Sequence, residues 1–230
     1  MKRFYSVFVT PGSLCFDIGA NIGRRTGIFL ALGARVVAVE PQPHCVDEIR
    51  AMYHTDRLFI VEKGIAAQEG TAILHLSPQL HTVASMSGDW IESIRTKRLH
   101  GWEWNQAIEV PTTTLDRLID QYGLPDFCKI DVEGFEEEVL RGLTRPIRTL
   151  SFEYNPEFIN PAIACIRKLE QVGDYEFNHS LDEVMVLSTL DWRAGSEMVN
   201  RLQDPSLLDE RDGQRRRAGL YGDVYARLRE

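Results

Sequence analysis

The sequence has no apolar run approaching the ~18 residues that a membrane-spanning helix requires, so no membrane span is expected. It has no Cys-x-x-Cys pair. Its four cysteines stand apart at positions 15, 45, 128 and 165, which gives no sign of a thioredoxin-type site or a metal-ligand set. Cys15 and Cys128 lie in apolar runs and read as small buried hydrophobes. Without a disulfide framework, a reducing, cytoplasmic location is expected. Basic residues are in deficit, 26 Lys and Arg against 34 Asp and Glu, a net charge of −8. A general nucleic-acid binder needs a basic surface, so no nucleic-acid partner is expected. The opening stretch MKRFYSVFVTPGSL is broken by Ser6, Thr10 and Pro11-Gly12, so it is not expected to be a signal peptide. Repeats and low-complexity tracts are absent. The remaining balance, 43% apolar and 26% charged over 230 residues, suits one domain with a core that needs no disulfides.

Strand and helix signals alternate. Residues 14–18 read as a short buried strand, and 24–32 as a helix closed by Gly33. Residues 35–39 are a β-branched run. Pro43 opens a helix with Val46, Ile49 and Tyr53 on one stripe, and 58–62 make a third strand. This alternation predicts a parallel sheet covered by helices on both faces. Residues 71–76 read as a locally paired strand. Residues 77–106 show no clean periodicity and are expected to be an irregular acceptor loop or lid. Alternation resumes with a strand at 107–110, a helix from Thr113 to Gly123, a strand at 126–132, a helix at 135–141 and a strand at 147–153. Pro161 opens a further helix, and 175–178 with 184–189 are spaced as a hairpin. Residues 1–190 are thus expected to form the main domain, with 191–230 an extension packed on it. In that tail Met198 and Leu202 suggest a short helix, and Arg215-Arg216-Arg217 reads as a solvated turn.

The sharpest motif is Asp17-Ile18-Gly19-Ala20-Asn21-Ile22-Gly23, set between a strand and a helix. Glycines there let the backbone approach a ligand, as in nucleotide-binding α/β folds. Two cofactors compete for such a loop. The pyrophosphate of a dinucleotide favours a helix N-terminus without a nearby carboxylate, and Asp17 would repel it. S-adenosylmethionine has no phosphate, carries a sulfonium and ends in an ammonium that suits Asp17. Asn21 also replaces the second glycine of a G-x-G-x-x-G pattern, and Arg24 the third. The methyl donor is the better fit. Glu40, 21 residues after Gly19 at a strand end, is placed to accept from two ribose hydroxyls.

A second cluster is Lys129-Ile130-Asp131-Val132-Glu133-Gly134. Strand alternation puts Lys129, Asp131 and Glu133 on one side. Charges on a central parallel strand are costly unless they line a cleft at its carboxyl end. Glu153, at the end of the next strand, should open into the same cleft. A structural ion pair of Lys129 with a neighbouring carboxylate is the plainer alternative.

These residues together resemble the FkbM-type methyltransferase family. The matching segments are Pro11-Gly12, Phe-Asp-Ile-Gly-Ala-Asn-Ile-Gly at 16–23, Val-Glu-Pro at 39–41 and Val-Pro-Thr-Thr-Thr-Leu-Asp at 110–116. Lys-Ile-Asp-Val-Glu-Gly-Phe-Glu at 129–136 and Leu-Arg-Gly at 140–142 follow, and Gly-Asp-Val-Tyr-Ala-Arg at 222–227 is similar to family tails. The resemblance implies a class I methyltransferase (Rossmann-like) α/β three-layer sandwich, its seven-stranded sheet mostly parallel and ending in an antiparallel strand. It implies S-adenosylmethionine as cofactor, and O-methylation of a hydroxyl on a sugar, glycan or natural product. By the same carry-over Asp17, Gly19, Ala20, Asn21, Gly23, Thr26, Glu40, Pro41 and Ile65 contact the cofactor. Lys129, Asp131 and Glu133 then belong to the active-site strand, and with Glu153 at the end of the next strand they are the expected catalytic set.

An alcohol acceptor must lose its proton during attack. Asp131 and Glu133 are the first candidates for that base, Glu153 and His179 the second, with His81 and His100 reachable on the loop. Asp131, Glu133 and Glu153 are also able to hold Mg²⁺, which the sequence permits without requiring. Trp90, Trp102 and Trp104 suit stacking on a sugar, or else a satellite core or homodimer interface. An NAD-dependent oxidoreductase, an N-methyltransferase and a non-catalytic methyltransferase-like binding module are the competing readings.

Overall fold

The computed structural model describes residues 1–97, 99–181, 185–204 and 221–229. In chain order the elements are α1 (Lys2–Tyr5), β1 (Leu14–Ile18), α2 (Arg24–Ala31), β2 (Arg35–Val39), α3 (Pro43–Met52), β3 (Leu58–Val61), β4 (Gly64–Ile65) and β5 (Gly70–Leu76). They continue with α4 (Gly88–Arg95), β6 (Gln106–Thr113), α5 (Leu115–Tyr122), β7 (Phe127–Ile130), α6 (Glu136–Arg141), β8 (Thr149–Tyr154), α7 (Ile159–Val172), β9 (Tyr175–Leu181), α8 (Gly195–Leu202) and β10 (Gly222–Leu228). One seven-stranded sheet has the order β3-β2-β1-β7-β8-β10-β9. β1 runs parallel to β2 and β7, and β7 to β8, while β10 runs antiparallel to both β8 and β9. This is the mostly parallel, α/β three-layer architecture that the resemblance implies. A small sheet, β4-β6-β5, flanks it.

Strand alternation builds the two cores. Leu14, Phe16 and Ile18 of β1 join the larger core, against Leu115 and Leu118 of α5, Leu140 of α6 and Ile166 of α7. Cys15, one residue out of step, joins the opposite core with Tyr5 of α1 and Phe29 of α2. All five residues of β1 are buried, as a central parallel strand demands.

Two expectations need correction. Residues 77–106 are not irregular throughout. Ser87 caps α4 by accepting from the Trp90 amide at 3.1 Å, and Trp90 and Ile94 are fully buried. Trp104 packs edge-on to Trp90 and donates from Nε1 to the Val83 carbonyl at 2.8 Å. These tryptophans form a satellite core with Trp102, Val83 and Ile94. The expected hairpin of 175–178 with 184–189 does not form either. β9 pairs with β10, from a distant part of the chain, and 185–189 contain no strand. Val184 and the Arg215–Arg217 run lie outside the described residues. Thr114 rather than Thr113 starts α5, as its cap. No described helix is long and apolar enough to cross a membrane.

Candidate active site

The carboxyl ends of β1, β2, β7 and β8 converge on a cavity of about 610 Å³, within the range of small-molecule sites. Of the thirteen residues singled out in the sequence, ten line it: Asp17, Gly19, Ala20, Asn21, Glu40, Pro41, Ile65, Asp131, Glu133 and Glu153. Gly23, Thr26 and Lys129 stand behind the wall. His81 is the one candidate histidine on the cavity, and His100 and His179 do not line it. His179 is fully buried in β9, and burial, then Arg201 and Arg193, push its pKa down to about 4. It is a neutral core side chain away from the cavity, not a base for the site.

The glycine loop is held by backbone bonds. The Gly19 and Ala20 amides both donate to the Val39 carbonyl, at 2.9 and 3.0 Å, and the Asp131 amide donates to the Ile18 carbonyl at 2.9 Å. Gly19 has φ +78°, and a Cβ there would lie 1.8 Å from the Asp131 carbonyl oxygen. Only glycine permits this approach of the β1 and β7 loops. Asp17 is buried beside them and accepts from Thr26 Oγ1 at 2.6 Å. Thr26 thus fixes the carboxylate from the helix side. Burial raises the Asp17 pKa against the opposing effects of Thr26, Arg25 and Lys129.

Glu40 accepts from the Asn21 amide at 2.8 Å through Oε2 and from the Gln42 amide at 2.9 Å through Oε1. The Gln42 side chain acts on it too, and a carboxylate has about four acceptor positions, so Glu40 keeps acceptor capacity on the cavity wall. Asn21 itself adopts φ +50°, a left-handed conformation of the kind that clusters at functional sites.

Lys129 lies under the opposite wall, completely buried. Its Nζ is 2.7 Å from Asp223 Oδ1 on β10 and 3.2 Å from Asp131 Oδ2. Burial pushes its pKa down, but Asp131 and Asp223 outweigh this and hold it protonated, above its ordinary value. Asp131 responds in kind: burial pushes it up, and Lys129 with Arg25 draw it net below the usual carboxylate range. The ion pair read from the sequence is therefore present, and it borders the cavity. Carboxylate oxygens of Asp131, Glu133 and Glu153 all lie within 4.8 Å of one another. Burial, then Glu133 and Asp131, raise Glu153 well above the ordinary carboxylate pKa.

Glu133 has φ +54° and Gly134 φ +85°. Two side chains secure this turn. Ser85 Oγ donates to the Glu133 carbonyl at 2.6 Å, and Glu136 Oε1 accepts from the Val132 and Gly134 amides at 3.1 and 3.3 Å. Sequence reasoning missed Arg25, Asp223, Ser85 and Glu136. Arg25 reads as one more charge on a helix. The other three are joined to the site through contacts distant in sequence or through backbone groups.

The chain matches the family described as the methyltransferase FkbM domain over residues 17–182. It is 30% identical over 142 residues to hexuronic acid methyltransferase AglP of Haloferax volcanii, covering 60% of this chain and 52% of that protein. The chain thus spans about half the length of that curated relative. Among solved structures it resembles precorrin-6y C5,15-methyltransferase of Geobacter metallireducens, with TM-score 0.51 at 11% identity over 99% of this chain and 85% of the other. It also resembles a TehB-like S-adenosylmethionine-dependent methyltransferase of Corynebacterium glutamicum, with TM-score 0.47 at 12% identity over 100% and 86% of the two chains. The fold is that of the class I methyltransferases, and this chain belongs to the FkbM methyltransferase family.

Proposed function

We propose that the protein transfers a methyl group from S-adenosylmethionine to a hydroxyl of a sugar or glycan. The observation that carries this reading is the carboxylate trio Asp131, Glu133 and Glu153, which lines the same cavity as the glycine loop. S-adenosylmethionine, when bound, supplies a methyl group already activated by its sulfonium. Asp17 is placed for the cofactor's ammonium, Gly19, Ala20, Asn21 and Gly23 shape the loop around it, and Glu40 with Pro41 takes the ribose end. Ile65 supplies an apolar wall.

The chain must then align the acceptor oxygen, exclude water and take the hydroxyl proton. Asp131 is held anionic by Lys129 and Arg25, so it orients the hydroxyl by accepting a hydrogen bond. Glu153 has the higher proton affinity because burial, then the crowding Glu133 and Asp131, raise it, and in its ionised form it takes the proton as the oxygen attacks. The proton ends on Glu153 and the methyl group on oxygen. Three carboxylates disfavour a further carboxylate as the methylated group, which supports a hydroxyl acceptor. An acidic sugar fits if its carboxylate faces Arg24 and Lys63 on the cavity wall.

Purified protein is incubated with labelled S-adenosylmethionine and a panel of sugars and glycosides. Methylated product is expected, with Glu153→Gln lowering kcat by about 100-fold or more and S-adenosylhomocysteine affinity changing less than about twofold. Binding of NAD in place of S-adenosylhomocysteine would overturn the reading, as would full turnover in Glu153→Gln. Turnover lost on chelation and restored only by Mg²⁺ would reassign the trio to a metal.

A further inference from the structure

We propose that His44, Cys45 and His81 form a three-ligand site for a zinc-like divalent cation at the rim of the cavity. No sequence spacing signals this set, because His81 stands 36 positions after Cys45. The fold brings them together. One ligand atom from each lies within 4.8 Å of the other two. Cys45 Sγ is 3.3 Å from His44 Nε2, and the rings of His44 and His81 meet edge-to-face with centroids 5.8 Å apart. A tetrahedral zinc ion holds nitrogen and sulfur ligands about 3.5 Å apart, so a small contraction completes the set.

The donors favour this chemistry. Two imidazoles and a thiolate select a borderline-soft ion such as Zn²⁺ over Mg²⁺ or Ca²⁺. A buried cysteine alone is ordinary, but here its neighbour His44 and, from a separate segment, His81 meet it. His81 Nδ1 is buried and has no hydrogen-bond partner, an expense that a metal bond would remove. Gln42 Oε1, also buried without a donor, belongs to the adjoining segment, and histidine ligands commonly donate their second ring N–H to such a carbonyl. On binding, the thiol proton leaves to solvent, three bonds to the ion form, and water completes the fourth position.

The site would join two parts of the cofactor cavity. His44 and Cys45 begin α3, whereas His81 begins the 3₁₀ turn at His81–Val83. The His81 carbonyl already accepts from Asn21 Nδ2 at 3.4 Å and Gln42 Nε2 at 3.2 Å. A bound ion would pin this segment over the glycine loop and slow exchange of the cofactor product.

The test is optical titration of the full-length, chelator-stripped protein with Co²⁺, without any cofactor. A sulfur-to-cobalt charge-transfer band that saturates at one ion per chain and disappears on adding Zn²⁺ is expected. Cys45→Ser should lose that band. His44→Ala, at an exposed position, should weaken Co²⁺ binding by at least about tenfold while retaining S-adenosylhomocysteine binding. Absence of the band in the wild type would overturn the site, and so would an unchanged band in Cys45→Ser or unchanged affinity in His44→Ala. Because the readout is the metal's own spectrum, it succeeds or fails independently of methyl transfer.

Discussion

Ser85 Oγ donates to the Glu133 carbonyl across 2.6 Å, joining the segment before α4 to the acidic turn after β7. The same oxygen accepts from the Ser87 amide at 2.9 Å, so one hydroxyl serves both sides of the contact. A left-handed, non-glycine residue in the site is thereby held by a group 48 positions away.

Ser85→Ala should therefore act on catalysis as well as on stability. Loss of the two bonds should cost about 1–3 kcal/mol, measured by urea denaturation. The Glu133 turn loses its external tie, so kcat should fall more than the affinity for S-adenosylhomocysteine. Equal loss of both would place the effect on the fold rather than the acidic turn.

The buried cation is expected to be the most sensitive position behind the site. Lys129→Met leaves Asp131 and Asp223 without their shared charge, and removing one partner of a buried ion pair typically costs about 3–5 kcal/mol. Asp223→Asn, which keeps a polar acceptor for Lys129, should cost less. Denaturant midpoints for the two variants check the order.

Gly19→Ala places a methyl group against the Asp131 backbone at a positive φ. Neither the carbonyl nor the β7 loop can yield without moving the carboxylate trio. A loss of about 2 kcal/mol or more is expected from the conformation and the collision together. Calorimetric titration with S-adenosylhomocysteine should also show at least tenfold weaker binding, on the order of the 1.4 kcal/mol that such a factor represents.

Glu136 sets a pH dependence of stability. Burial pushes its carboxyl from the ordinary 4.5 up to about 7, against the hydrogen bonds from Val132 and Gly134. Between these two values the folded protein keeps a proton that the unfolded chain has released. This contribution to stability is thus present in full below about 4.5 and is lost as pH rises to about 7. The total is on the order of 3 kcal/mol. Glu136→Gln keeps an oxygen for the two amides and removes the ionisation, so unfolding free energies at pH 5 and pH 8 should differ less in the variant than in the wild type.

The repeating strand-helix part of the chain was readable because β1, β2 and β7 are short apolar runs ended by glycine or charge. The lining positions Asp17, Glu40, Asp131 and Glu153 follow from where those runs end. α4 was missed because it spans only eight residues, opens on Gly88 and buries just Trp90 and Ile94, too few positions to show a period. The signal was there in Ser87 as a cap and in Trp90 and Ile94 one turn apart. The hairpin error came from pairing β9 with the nearest apolar stretch, whereas the sheet takes residues 222–228 from beyond α8. Arg25 and Asp223 were unreadable as site residues because their roles arise only when β10 and α2 are brought to Lys129 and Asp131. His44, Cys45 and His81 share that difficulty.

The position of β10 also governs how the molecule is assembled during its own synthesis. β10 lies between β8 and β9, so both strands present unpaired edges while residues 222–228 are still within the ribosome. Lys129 at that stage has no Asp223. The glycine loop can form early from neighbouring segments, but the sheet closes only after the chain carrying β10 has emerged. The sheet therefore cannot close before β10 is available, and the strand that closes it also carries Asp223 to the buried Lys129 beneath the acidic turn.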